Sequence, residues 1–460
     1  VVHMDTTSLA AKTAYTARFP FFLTAYDPSD LPGGSLDPMG FERGYLFLAD
    51  KILPGLTNVA DRPRYFSVIC AGAFLADVAQ HDPPRHQYQA RLECILRFER
   101  FWALANVLAT QKAADTGELS DSGIRGVTYA RDEVESLIRK GVARTTADYK
   151  MLSRQVPYGV IGIYGAVADG MRLIDRKTFT LTPDLGERLA EGFLDETEIP
   201  QVLKKAIRDG GDVPIRSLTE WGKRAHVSGP SVPVEVHCFH DVLNQNPVRA
   251  RMAAALAANP FEDSGDNELR RLSRILPGLQ SAPSNRDLAE AVRAILAYEE
   301  CYRLTQLGFE RLLWLCRKLP AASISNADLV NDDVLSVVRS QLPDAATRLS
   351  QTMDNAESEL FRLDLQHLED TRRCVERAAA CDSNVRLATE LMERHADVQR
   401  GKFDRGRRKM PWLELTNDRI SLTTTRVGGL DREATVPENI FPHPYRLPSA
   451  DALISASEEA

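Results

Sequence analysis

The densest chemistry in this sequence is the run QRGKFDRGRRK at 399–409. Arg400, Lys402, Arg405, Arg407, Arg408 and Lys409 put six cations in ten positions against one acid, Asp404, with Phe403 in the middle and Trp412 just beyond. Guanidinium forks suit phosphate oxygens, and an aromatic neighbour can stack on a base. The run is therefore a candidate nucleic-acid contact. Charge alone leaves two other readings open, a solvated turn and a dock for an acidic protein. Gly401 and Gly406 predict a flexible loop here rather than a helix. A second cluster, EVHCFH, sets His237, Cys238 and His240 close together. A structural zinc site needs four ligands in spaced pairs, and no second pair lies nearby, so a buried Cys beside ordinary His is expected. The chain has no Gly-rich phosphate loop with Lys, no G-x-S-x-G elbow and no H-E-x-x-H. No catalytic residue, cofactor or metal is predicted.

These residues sit in a chain that reads as helical. Up to about Leu56 it is rich in Pro and Gly, an extended arm feeding one short helix at Phe41–Ile52. Apolar residues then recur at three and four over 64–78 and 86–110, the second run apolar around much of its circumference, which places it in a core. A polar loop follows at 111–127. From Ile199 to Gln399 the pattern stays helical, with breaks at Gly210-Gly211, 228–233, 258–266, 277–284 and near Pro320. Beyond the basic run, KMPWLELTNDRISLTTTRV alternates around Thr416-Asn417-Asp418 and predicts a β-hairpin near 412–427. The last 25 residues, with four Pro and an acidic end, read as a tail that lies on the surface or is disordered.

The stretch LIDRKTFTLTPDLGERLAEGF at 173–193 has its own order: the end of a Gly-weakened helix, two short strands about Asp175-Arg176-Lys177, then a helix opening with Thr182 as N-cap and Pro183 at N1. It resembles the end of a winged helix-turn-helix domain, which extends over about 70 residues if 128–153 supplies the earlier helices. The resemblance implies a helix read into the major groove, and Arg172, Arg176 and Lys177 as contacts. The sequence departs from that pattern. From Tyr164 to Glu196 four basic residues face seven acidic ones. Packing of this unit within the protein or against a partner is the competing expectation.

Three further segments, LADKILPGLTNVADRPRYFSVI, SGIRGVTYARD and ELMERHADVQRGK with RKMPWLEL, resemble a set of uncharacterised bacterial proteins of phage-defence islands. That resemblance implies work beside a helicase or nuclease and names no catalytic residue. Arg362 and His367 have the Arg-x4-His spacing of HEPN ribonucleases, although Leu363 stands where that motif favours a polar residue; a surface helix is the alternative.

The expected fold is mainly α, multi-helical, with one winged-helix unit and a small C-terminal β-hairpin. The expected segments are an arm and helical region at 1–115, a winged-helix-like domain at 116–198, a helical domain at 199–399, and the basic loop, hairpin and tail at 400–460. Val1-Val2-His3 reads as vector-derived, with Met4 as the natural start. No run approaches the roughly 18 apolar residues of a membrane span, and the first residues lack the order of a signal peptide. Seven scattered cysteines in apolar surroundings suit a reducing cytoplasm. A net charge of −7 confines any contact with nucleic acid to a local patch. The expected function is a non-enzymatic, nucleic-acid-associated subunit of an anti-phage assembly, DNA first among targets, with a HEPN-type ribonuclease and a pure interaction scaffold as alternatives. If Arg362 and His367 are ordinary surface residues, Ala at both changes stability by no more than about 0.5 kcal/mol and leaves biological activity intact. Loss of an RNA-cleaving activity in that double variant would decide for the nuclease.

Overall fold

A computed structural model of the chain describes residues 37–76, 83–113, 117, 119–263, 265–318, 322–355, 366–404, 407–416, 418–423 and 433–458. Arg362 and the side chains of His367, Asp404 and Arg407 lie outside what is described, so the Arg362 and His367 expectation does too. In chain order the elements begin with α1 (Glu42–Ile52), α2 (Arg64–Phe74), α3 (Pro84–Lys112) and α4 (Val127–Lys140). Next come β1 (Arg144–Thr145), α5 (Gln155–Tyr158), α6 (Val160–Gly170), β2 (Ile174–Asp175), β3 (Thr180–Leu181) and α7 (Arg188–Glu196). Then follow α8 (Gln201–Asp209), β4 (Val213–Pro214), α9 (Ile215–Arg224), α10 (Pro233–Asn244), α11 (Pro247–Ala257), α12 (Glu268–Ser281) and α13 (Arg286–Lys318). The rest are β5 (Ser323–Ser325), α14 (Asn326–Leu329), α15 (Asp333–Asp354), α16 (Gln366–Ala379), α17 (Asn384–Arg400), β6 (Phe403–Asp404), β7 (Arg407–Arg408), β8 (Leu413–Thr416), β9 (Arg419–Leu422) and α18 (Leu447–Glu458). The protein is mainly helical, with small antiparallel sheets.

The chain divides into two compact units. The first takes the chain up to Ile52 with Ala258–Tyr445, and the second takes Leu53–Ala257 with Arg446–Ala460.

In the second unit, α2 is buried from Arg64 to Ala73, as expected of a helix apolar on all sides. Its two polar residues are paired: Arg64 and Ser67 both reach Glu235 on α10, at 2.6 Å each, and the ion pair is almost wholly buried. Glu235 also accepts the N–H of Val232 at 3.0 Å. The core helix α3 crosses α9 where Gly222 admits the carbonyl of Ala105, a place a Cβ would fill. Trp102 Nε1 donates to Ala225 O at 2.6 Å, and Asn106 Oδ1 accepts Val227 N–H at 2.7 Å.

The helix, two-stranded wing and helix expected around 128–196 are present as α6, β2 with β3, and α7. Thr182 Oγ1 accepts Gly186 N–H at 3.0 Å, so Thr182 caps the turn that opens with Pro183. The strand that precedes this helix, β1, pairs with β4. Glu99, on α3, caps the start of α6: its carboxylate accepts Val160 N–H and Gln155 Nε2–H, both at 2.7 Å.

The first unit is built on α13, which packs against α15, α12, α1 and α17. Tyr298 donates to Phe41 O at 2.6 Å. Glu299, fully buried, gathers the segment before α18: His443 Nδ1 at 2.5 Å, His443 N–H at 3.1 Å and Tyr445 Oη at 2.8 Å. The predicted C-terminal hairpin is β8 with β9, and β5 adds a third strand in the order β5-β9-β8. The helical run expected from Ile199 thus contains two strands, β4 and β5, that the periodicity hid because they are two and three residues long. The break expected at 277–284 is narrower than that, since α12 runs through Pro277 to Ser281 and α13 begins at Arg286.

Burial raises the Glu99 carboxyl to about 7, against the lowering pull of its two hydrogen-bond donors. A raised folded pKa means the folded state holds its proton longer than the unfolded state. That contribution is therefore full below about 4.5 and is lost as pH rises to 7, on the order of 3 kcal/mol at 1.36 kcal/mol per unit. Denaturant unfolding of Glu99→Gln between pH 4.5 and 7 is expected to show this falling slope removed. A slope equal to wild type would contradict the assignment.

Candidate nucleic-acid interface

The six cations of the basic run are not equivalent. The helix α17 ends on Arg400, an exposed side chain 2.7 Å from the equally exposed Asp397. Such a pair contributes little and exchanges readily for a phosphate. Lys402 is different. It is half-buried, its ammonium donates to Asp37 O, and burial pulls its pKa below the usual lysine value. Its donor is committed to the fold.

Residues 403–408 form a hairpin rather than the expected loop, with Phe403 opposite Arg408 and Asp404 opposite Arg407. The main chain shows why: Lys409 N–H donates to Lys402 O at 3.0 Å, closing the ladder outside the strands. Arg405 and Gly406, between the strands, lie outside the described residues. A Gly within a two-residue connection was the available signal. Directly opposed residues share a face, so Phe403, 60% exposed, and the exposed Arg408 lie side by side facing solvent.

The chain just after the hairpin is fastened by His395. The main-chain N–H of Trp412 can only donate, so His395 Nε2 accepts it, at 2.9 Å, and the ring proton sits on Nδ1, which donates to Pro38 O at 2.9 Å. Phe309 and Trp412 enclose the ring at centroid distances of 4.5 and 5.0 Å. Burial holds its pKa down, at about 4. Beside it Arg394 donates to Met39 O at 2.9 Å, and Asp37 accepts the N–H groups of Gly40, Phe41 and Glu42 ahead of α1.

The other predicted contacts, Arg172, Arg176 and Lys177, gather at the wing of the second unit. Arg172 is exposed in the left-handed region at φ 56°, and Lys177 is exposed. Two carboxylates organise the same turn: Asp169 accepts Arg176 N–H at 3.0 Å and Asp175 accepts Lys177 N–H at 2.9 Å. The wing is also pinned inward, because Phe179 is buried and stacks on Tyr88 at 5.2 Å. The fully exposed residues of α6 are Asp169 and Gly170, neither of them a donor to phosphate through its side chain.

Along α10, His237 and His240 are exposed while Cys238 is buried and accepts from Arg188 Nε at 3.3 Å, so the three do not converge. Among the described residues no cluster of three or more His, Cys, Asp or Glu could hold a metal ion, and no helix is long and apolar enough to cross a membrane. All seven thiols are free, six of them buried. No family model, curated protein or solved structure matches this chain.

His395 gives this region an acid sensitivity. With its folded pKa below the ordinary 6.5, the unfolded state takes up the proton first, so stability is full above about 6.5 and is lost as pH falls to 4, on the order of 3 kcal/mol. Replacing His395 by Asn is expected to flatten that acid limb in denaturant unfolding, and an unchanged limb would show that the ring is not held neutral. Lys402→Ala should cost about 1–3 kcal/mol through the stranded Asp37 carbonyl.

Proposed function

We propose that this chain is a non-enzymatic subunit that contacts nucleic acid through the β6–β7 hairpin, within an anti-phage assembly of the kind its sequence resemblance implies. The observation that carries the reading is the cross-strand pair of Phe403 and Arg408 on one solvent-facing surface. A ring beside a guanidinium offers stacking to a base and a fork to the adjoining phosphate. Arg400, Arg405, Arg407 and Lys409 add charge next to that pair in the sequence, while Lys402 is held by Asp37 O. The wing contributes less in this reading, because its cations sit among Asp169 and Asp175.

Salt dependence tests it. Binding of a labelled duplex and a labelled single strand by the full chain should weaken with salt, log K falling by roughly 0.9 per neutralised phosphate on duplex and 0.7 on a single strand. Replacing Arg405, Arg407, Arg408 and Lys409 together by Ala should flatten the slope by about one unit per lost contact. Ala at Arg172, Arg176 and Lys177 should change it less, and Lys402→Ala should leave it alone. Phe403→Ala should cost about 1–3 kcal/mol on the single strand with the slope kept. Equal affinity and slope for wild type and the quadruple variant would reduce the hairpin to a solvated turn.

A further inference from the structure

We propose that the edge of β8 that no described strand covers, with the cleft beside it, takes an extended, mainly apolar peptide segment of a partner protein with an acidic end as a fourth strand. This surface lies beside the nucleic-acid hairpin in the same unit and does not depend on that reading.

Among the described residues the sheet order leaves β8 outermost. Thr423 N–H donates to Trp412 O at 3.0 Å, and Glu414 lies opposite Ser421 and Thr416 opposite Arg419. Hydrogen-bonded and open pairs alternate along an antiparallel ladder, so Trp412, Glu414 and Thr416 turn their main-chain groups to β9. Leu413 and Leu415 consequently turn theirs outward. An outward row of N–H and C=O groups at strand spacing is matched by another polypeptide strand.

Between this edge and α17 runs a cleft of about 290 Å³, lined by Met392, Ala396, Met410, Pro411, Leu413 and Leu415. Its rim is apolar and open, with Met410 74% and Leu415 44% exposed. Thioether side chains adapt to differently shaped partners, so the cleft suits alternate apolar side chains of an added strand. Charge sets the polarity of the occupant. Arg400 lines the cleft where the basic hairpin departs, and Arg408 is exposed on that hairpin. Glu393 and Glu414 line it as well, so the acidic residues of the partner belong at the Arg400 end and its apolar ones along Met392 and Leu415.

The test selects a phage-displayed library of random twelve-residue peptides on the full chain, then measures a synthetic peptide of the enriched sequence on wild type, Leu415→Pro and Ala396→Phe. Pro at 415 removes an N–H that points away from β9, so the ladder survives while the incoming strand loses a donor. Phe at 396 fills the cleft without touching the edge. Enriched peptides should alternate apolar residues and carry Asp or Glu at one end, and each variant should lose at least tenfold in affinity. In wild type, peptide should slow hydrogen exchange at the Leu413 and Leu415 amides, a readout that stands even if a variant folds poorly. Absence of enrichment, or peptides that bind both variants as tightly as wild type, would overturn the proposal. So would wild-type dimers that Leu415→Pro converts to monomers, since a second copy would then own the edge, or displacement of the peptide by a single-stranded oligonucleotide. Loss of oligonucleotide binding in the Arg405, Arg407, Arg408 and Lys409 variant is a separate outcome, so the two readings fail independently.

Discussion

One neutral imidazole fixes where the chain leaves the basic run. His395 is buried, accepts from Trp412 N–H and donates to Pro38 O, so a single side chain ties the strap ahead of α1 to the start of the β8 strand. A charged ring could not accept the Trp412 N–H, and a ring with its proton on Nε2 would leave both groups unpaired. The enclosure by Phe309 and Trp412 that keeps water out is what keeps the ring neutral. With Trp412 held on one side of the short hairpin and Lys402 tied to Asp37 on the other, the chain entering and leaving it is fixed.

The same logic recurs in each unit: a buried polar group, fully satisfied, fixes where an otherwise featureless helical surface docks. Glu299 takes three donors from the segment around His443 and Tyr445. The Arg64 and Glu235 pair, with Ser67 and Val232, joins α2 to α10. Removing one member of such a network strands its partner in a medium of low polarity, which costs far more than the intact network contributes. Glu99 is the exception that titrates. It caps α6 from within the core, where burial outweighs its hydrogen bonds and brings its carboxyl near neutrality.

Much of the fold was legible in the sequence, and the reasons differ by element. The helices α3 and α6, the wing, the Thr182 cap and the β8–β9 hairpin follow from apolar periodicity, Gly and Pro placement and capping chemistry, all of which are local. The strands β1, β4 and β5 were not legible, because two or three residues carry no period and are defined only by partners about 70 to 100 positions away. The candidate site divides the same way. Phe403 and the cations of 400–409 stand out by composition, but the pairing that puts Phe403 beside Arg408 is a matter of register. Lys402 looked like its neighbours in sequence, and only the approach of Asp37, 365 positions away, sets it apart.

If the hairpin face formed by Phe403 and Arg408 meets nucleic acid directly, the two must come within bonding distance at that face. Photo-crosslinking of the full chain to a single-stranded oligonucleotide carrying 5-bromouracil, followed by mass-spectrometric mapping, reads that contact at the level of a residue. Adducts are expected on Phe403, competed away by unlabelled strand and by salt. Specific adducts confined to the wing at 172–177, or none above a non-binding control protein, would contradict it.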